Sequence, residues 1–283
     1  MGVLPMGPVK LPIVQIDAFA DRVFEGNPAA VVVLPDWLPD PVLGAIAAEN
    51  NLSETAFLVA AGGRWRLRWF TPTVEVELCG HATLAAGAVV LADGGDEARF
   101  DTASGELVVR RDGDDLALSL PSLRPRPASA VPAGLEDALG AAPTAWWSVK
   151  AVHRATYWLA TFPSAAAIVG LAPDTRRLGR DLRSNVICTA PGDAGTGFDF
   201  VSRFFAPGSG VDEDPVTGSA HATLAPFWAE RLASPAGSTL IGRQLSRRGG
   251  TVRCRLEGAG AAERVWLAGR CARYLEGTIT VPA

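Results

Sequence analysis

One passage of this chain is written twice. "FTPTVEVELCGHATLAAG" (70–87) and "FAPGSGVDEDPVTGSAHATLAPF" (205–227) each open on an aromatic, a spacer residue and a proline. Each then runs through acidic residues and a glycine-containing turn into an identical "HATLA", which places His81 and His221 about half the chain apart. A weaker echo lies upstream: "NNLSETAF" (50–57) matches "SNVICTAP" (184–191) when Thr55 is set against Thr189, which sets Glu54 against Cys188. Two echoes in the same order predict two related domains, and self-similarity of this kind limits the fold more than any single element does.

A chain of 283 residues is long enough for two domains, and 48% apolar against 20% charged residues can supply a core for each. The net charge of −4 gives no electrostatic reason to expect nucleic acid, and the arginine clusters at 124–127, 176–177 and 247–248 are short and scattered. Cys79, Cys188, Cys254 and Cys271 stand far apart without a CxxC pair, and only His81, His153 and His221 could join them. No metal site is therefore expected, and the low cysteine density fits a reducing compartment. The N-terminus lacks the pattern of a signal peptide, and the longest apolar run, "ATLAAGAVVLA" (82–92), is far shorter than the roughly 18 residues of a membrane span. The expectation is a soluble cytoplasmic protein with neither nucleic acid nor membrane as partner.

Strand character is read at 12–19, 27–35, 53–61 and 64–72, and a hairpin with an Asp-Gly turn at 106–121. Asp40 is the expected N-cap of a helix whose first residue is Pro41, and a second helix is expected from Gly80 to about Leu91. The Pro- and Ser-rich stretch 122–134 reads as a linker. Beyond it, strands are expected at 156–163, 184–191, 198–207, 250–256 and 263–280, and a helix from Gly218 to about Leu232. Strands mixed with a few long helices give α+β.

The duplication has a chemical consequence. In each half a strand ends in a proline turn and a polar loop, then enters a helix whose first N–H groups have no intrahelical acceptor. Gly80 starts one helix and Gly218 the other, and two such N-termini facing a cleft suit a small carboxylate or phosphate. Thr217 and Ser219 can cap or donate, although ordinary capping explains them equally well. Glu54 stands where an apolar strand begins, an awkward place for a carboxylate unless it faces a cleft, where it can exchange protons; an exposed strand-start Glu is the plainer account. His81 can orient or relay protons, or serve as a cap or a packed ring. His153 is read as structural. Asp212, Glu213 and Asp214 cannot all be buried unpaired, and a solvated acidic turn is the alternative for them. No P-loop lysine, GxSxG elbow or twelve-residue calcium loop is present.

"DAFADRVFEGNPAAVV" (17–32), "ENNLSETAF" (49–57), "FTPTVEVELCGHATLA" (70–85) and "VDEDPVTGSAHATL" (211–224) together resemble the phenazine biosynthesis PhzF-like isomerase family. The resemblance implies a diaminopimelate-epimerase-like α+β fold, two similar domains each with a bent, mostly antiparallel sheet around a central helix, and an active site between them. It implies that the chain end returns to the first domain, giving an N-terminal domain of 11–121 plus 272–283 and a C-terminal domain of 128–271. It further implies a homodimer and no cofactor. By the same resemblance Glu54, His81, Asp214 and Ser219 are the catalytic residues, Glu54 moving the proton. Gly80, Gly218, Thr217, Cys79 and His221 are the expected substrate-binding residues, with a small carboxylated metabolite as partner. Relatives of this fold that racemize with two cysteines are matched at Cys79 but not at "DPVTGSA", which offers no second thiol. The function expected is a cofactor-independent isomerase moving a proton on a small carboxylate, with a non-catalytic anion-binding protein or a hydratase or lyase as alternatives.

Overall fold

The computed structural model of the protein describes residues 7–149 and 156–281, so His153 lies outside the described residues. In chain order the elements are β1 (Val9–Ala18), β2 (Asn27–Leu34), α1 (Asp40–Asn50), β3 (Glu54–Ala61), β4 (Arg64–Phe70), β5 (Glu75–Val76), α2 (Gly80–Val90), β6 (Glu97–Thr102), β7 (Gly105–Asp112) and β8 (Asp115–Pro121). They continue with β9 (Arg126–Pro127), α3 (Leu135–Leu139), β10 (Ala145–Val149), β11 (Thr156–Thr161), α4 (Ala165–Val169), β12 (Ser184–Pro191), β13 (Phe200–Ala206) and β14 (Val211–Asp214). The last are α5 (Gly218–Arg231), β15 (Thr239–Gln244), β16 (Gly250–Glu257), β17 (Arg264–Gly269) and β18 (Cys271–Val281).

Two compact units result, one drawn from Met1–Phe24, Pro28–Leu118 and Arg270–Ala283, the other from Glu25–Asn27 and Ser119–Gly269. Each is an α+β domain with a bent, mostly antiparallel sheet on a central helix. In the first, β2 runs parallel to β3, β3 antiparallel to β4, β4 parallel to β6, and β6 antiparallel to β7, with β18 antiparallel to β1. The second repeats that order: β11 parallel to β12, β12 antiparallel to β13, β13 parallel to β15, and β15 antiparallel to β16. A small strand follows β4 and β13 alike, β5 on one and β14 on the other, and leads into the long helix of that unit.

The pairing corrects the register of the repeat. Thr55 pairs with Phe70, the aromatic of "FTP", and Val186 pairs with Phe205, the aromatic of "FAP". Glu54 therefore corresponds to Asn185 and not to Cys188. The same number of residues separates Glu75 from Gly80 as Glu213 from Gly218, so Cys79 corresponds to Thr217, His81 to Ser219 and Thr83 to His221. The identical "HATLA" strings are offset by two residues along their helices. Alanine and leucine fill both helices because both are buried, and that shared demand produces the misleading match.

Side chains bear the new register out. Arg68 grips Glu75 with both arms, at 2.7 Å each, and lies 5.1 Å over the ring of Phe70. Arg203 grips Glu213 at 2.7 and 2.9 Å and lies 4.7 Å over Phe205. A planar guanidinium matched to a carboxylate fixes the approach of each connector to its helix. Asp40, expected as an N-cap, is instead the first helical residue after Pro39, and its carboxylate accepts from Arg68 at 2.9 Å.

Both long helices are buried on nearly all sides, as central helices must be. Residues His81–Gly87 of α2 are all buried, and a Cβ built on Gly87 lies 2.5 Å from the Val109 side chain, so only glycine lets α2 sit this close to β7. In the second unit Pro226 stands inside α5 and cannot donate to Ala222. The freed Ala222 carbonyl accepts from the Leu123 amide at 3.0 Å, while Arg124 clasps Glu263 at 2.7 and 3.0 Å. The stretch read as a linker is thus tied to the second unit at its start.

Candidate active site

The first constellation sits where β3 begins and α2 begins. Glu54 opens β3, Cys79 is the extended N-cap of α2 (φ −143°, ψ 110°), and His81 is the second helical residue. His81 Nε2 lies 3.1 Å from Glu54 Oε2, and Cys79 Sγ lies 3.5 Å from His81 Nδ1. The imidazole thus stands between a carboxylate and a thiol. Glu54 is partly open, its side chain 16% exposed, whereas Cys79 and His81 are buried. Thr83 donates its hydroxyl to the Cys79 carbonyl at 2.5 Å, which fixes the backbone that carries both groups.

Burial opposes a charged imidazole at His81, yet Cys79 and Glu54 beside it hold the ring well above its usual value. Burial also pushes the Cys79 thiol up to about 11, with Glu54 adding to the effect. With the thiol kept neutral, Glu54 is the neighbour that favours a charged imidazole at His81.

The second constellation occupies the corresponding place at β12 and α5. Asn185 stands at the Glu54 position, Thr217 at the Cys79 position and Ser219 at the His81 position. Asp214 is held by the Asn27 amide at 2.8 Å and accepts the Thr217 hydroxyl. Gln244 accepts the Thr217 amide at 3.0 Å and donates to the Asp214 carbonyl at 2.7 Å. Of the three acidic residues, Glu213 is engaged by Arg203, Asp212 is exposed, and Asp214 is the one at the helix start. Thr217 is the N-cap residue but makes no side-chain cap, because its hydroxyl is turned to Asp214. The ordinary capping expected of Thr217 is therefore replaced by a carboxylate contact.

Tyr157 pairs across the sheet with Asn185, and its phenol faces Ser219, Asn185 and Ser209. Burial, helped by the charge on Asp214, pushes its phenol up to about 12, so it stays a neutral hydroxyl. His221, expected to meet substrate, is wholly buried: Nδ1 lies 2.8 Å from the Thr217 carbonyl, and the ring lies against Phe200. It does from α5 what Thr83 does from α2, and burial drives its pKa down to about 4. His221 therefore supports the helix start and does not offer itself to a ligand.

The structure thus joins Glu54, His81, Cys79 and Gly80 in one unit and Asp214, Thr217, Gly218 and Ser219 in the other. Sequence reasoning missed Asn27, Tyr157, Asn185 and Gln244. Asn27 was legible only as part of a Gly-Asn-Pro turn. Asn185 becomes visible once "FTP" and "FAP" are aligned through their partner strands.

Three kinds of comparison find proteins similar to this chain. The family model described as phenazine biosynthesis-like protein matches residues 16–277. An uncharacterized isomerase of Pseudomonas aeruginosa is 49% identical over 96% of this chain and 99% of its own length. A human phenazine biosynthesis-like domain-containing protein is 37% identical over 96% of this chain and 100% of its own. Among solved structures, a phenazine biosynthesis protein of the PhzF family from Enterococcus faecalis superposes with a TM-score of 0.83 at 39% identity, covering 96% of this chain and 99% of that one.

Proposed function

Because the chain belongs to the phenazine biosynthesis-like (PhzF) family, we propose that Glu54 is the group that carries the proton in a cofactor-independent isomerization of a small carboxylate. The observation that carries this reading is the Glu54–His81 pair, 3.1 Å apart, with the imidazole buried and the carboxylate partly open. As a base, Glu54 takes a proton from a carbon of the substrate; the resulting acid exchanges with solvent through its open side and delivers a proton to another carbon, so the double bond moves and no atom is gained or lost. The His81 imidazolium balances the carboxylate before the transfer and orients it throughout. Shuttling of this kind needs no group beyond the protein's own side chains.

In the same proposal the substrate carboxylate is bound by helix-start amides at Gly80, Gly218 and Ser219, with Asp214 and Ser219 as further polar contacts. A cyclic, hydroxylated amino acid of the dihydro-hydroxyanthranilate type is one candidate substrate. Homodimer formation belongs to the proposal too, and light scattering reads it directly. No helix among the described residues is long and apolar enough to cross a membrane.

The test is wash-in of solvent deuterium to a panel of small cyclic and aliphatic carboxylates, read by mass spectrometry. The expected result is incorporation at carbon with at least one of them, slowed about 10²- to 10⁴-fold by Glu54→Gln. Saturable binding with no exchange into any bound carboxylate reduces the protein to an anion binder. A gain or loss of water in the product mass makes it a hydratase or lyase.

A further inference from the structure

Cys79, His81 and Glu54 offer a sulfur, a nitrogen and an oxygen donor, all within 4.8 Å of one another. A zinc ion in tetrahedral coordination has bonds of about 2.3 Å to sulfur and about 2.05 Å to nitrogen, which sets those two donors about 3.6 Å apart. Cys79 Sγ and His81 Nδ1 are 3.5 Å apart. The pair stands at chelating separation before any atom moves, and both side chains leave the backbone at the start of an eleven-residue helix. On the far side of the ring, Glu54 Oε2 is 3.1 Å from Nε2. A carboxylate on the remaining ring nitrogen is the arrangement that turns the other nitrogen toward a metal and raises its basicity. The second unit supplies an internal contrast: the same backbone positions carry Asn185, Thr217 and Ser219, without a single soft donor.

We propose that Cys79 and His81 form a chelate for a thiophilic divalent cation of the zinc class, with Glu54 as the carboxylate that orients the imidazole. An ion bound there ties the His81 ring to the metal and Glu54 to the ring, so Glu54 is no longer free to carry a proton. Binding forms a sulfur–metal bond in place of the S–H bond and a nitrogen–metal bond in place of the imidazolium Nδ1–H bond, both protons pass to buffer, and no oxidation state changes. The chelate stands on geometry alone, whereas the silencing rests on the proposed roles of Glu54 and His81.

Cobalt(II) added to the full chain is the probe. The expected signature is a near-ultraviolet sulfur-to-cobalt band with strong visible d–d absorption, saturating at one equivalent and erased by one equivalent of zinc. Cys79→Ser is expected to lose the sulfur band, and Glu54→Gln to keep it with affinity weakened about 10- to 100-fold. Should Cys79→Ser fail to fold, His81→Gln serves in its place through loss of the tetrahedral d–d intensity. An unchanged sulfur band in a folded Cys79→Ser variant, or no band in the parent chain, overturns the chelate. Deuterium wash-in at one equivalent of zinc tests the silencing apart from the chelate: binding without slowed exchange refutes the silencing and leaves the chelate standing, while the Glu54 assignment is decided by Glu54→Gln without metal. Absence of cobalt binding leaves that assignment where it was.

Discussion

The two helix starts share a backbone and differ in charge. In the first unit the three corresponding positions carry Glu54, Cys79 and His81; in the second they carry Asn185, Thr217 and Ser219. The first set is the one proposed to exchange protons, whereas the second is composed of neutral donors and acceptors with Asp214 brought in from the connector beside it. His81 and His221, which the sequence presents as twins, face opposite demands. Burial opposes charge on both rings, but at His81 the neighbouring Cys79 and Glu54 raise the pKa well above its usual value, whereas His221, packed against Phe200, is driven down to about 4. One scaffold can therefore do chemistry at one helix start and recognition at the other, because the backbone at both is fixed by the same arginine–glutamate brace.

The largest expected effect separates the two constellations by turnover. Glu54→Gln is expected to slow deuterium wash-in about 10²- to 10⁴-fold, while Ser219→Ala, losing one hydrogen bond, costs about tenfold and mainly in KM. Equal losses in kcat from both variants would break the division of labour.

The histidines give the next contrast. A His221 pKa of about 4 means that the unfolded chain binds a proton below its ordinary pKa of 6.5 while the folded chain does not. Stability is therefore lost as pH falls from 6.5 toward 4, by roughly 3 kcal/mol. Denaturant titrations of the parent and of His221→Gln across that window measure it as a narrowing gap between the two. His81 has the opposite sign: its folded pKa is raised, so its contribution is complete below 6.5 and disappears as pH climbs through the folded value. A stability difference between parent and His81→Gln that grows on the alkaline side would contradict the ion pair with Glu54.

The smallest effect concerns the duplicated brace. Arg203 and Glu213 have side chains 14% and 23% exposed, against 24% and 40% for Arg68 and Glu75. Arg203 also donates to the Leu171 carbonyl at 2.7 Å. Glu213→Gln is expected to cost about 1–2 kcal/mol, and Glu75→Gln, more open to solvent, about 0.5 kcal/mol. A larger loss at Glu75, read by thermal unfolding, would reverse the ranking by burial.

Much of this molecule could be read without coordinates. Gly80 and Gly218 mark helix starts that the structure keeps, and the placing of Glu54 at the head of a strand follows from the apolar run behind it. The register of the repeat could not be read. Buried helices select alanine and leucine wherever they occur, so "HATLA" against "HATLA" looks like homology position by position, whereas hydrogen bonding across β3–β4 and β12–β13 aligns the halves two and three residues away. Asn27, Tyr157 and Asn185 were hidden for a related reason. Their importance comes from neighbours distant in sequence, Asp214 for Asn27, Ser219 for Tyr157 and Ser209 for Asn185, and no local pattern announces such a partner.

The turn at Pro207–Ser209 lengthens the second connector by three residues relative to the tighter Thr71–Val74 turn of the first. Its Ser209 hydroxyl accepts from the Asn185 side chain at 2.7 Å. An amide buried where the other half keeps a carboxylate needs such a partner, and the inserted turn brings one. The amide at Asn185 depends on the longer turn, and deleting that turn is expected to leave its side chain without the Ser209 partner. The asymmetry of the two halves is thus held in place by a three-residue lengthening of the second connector.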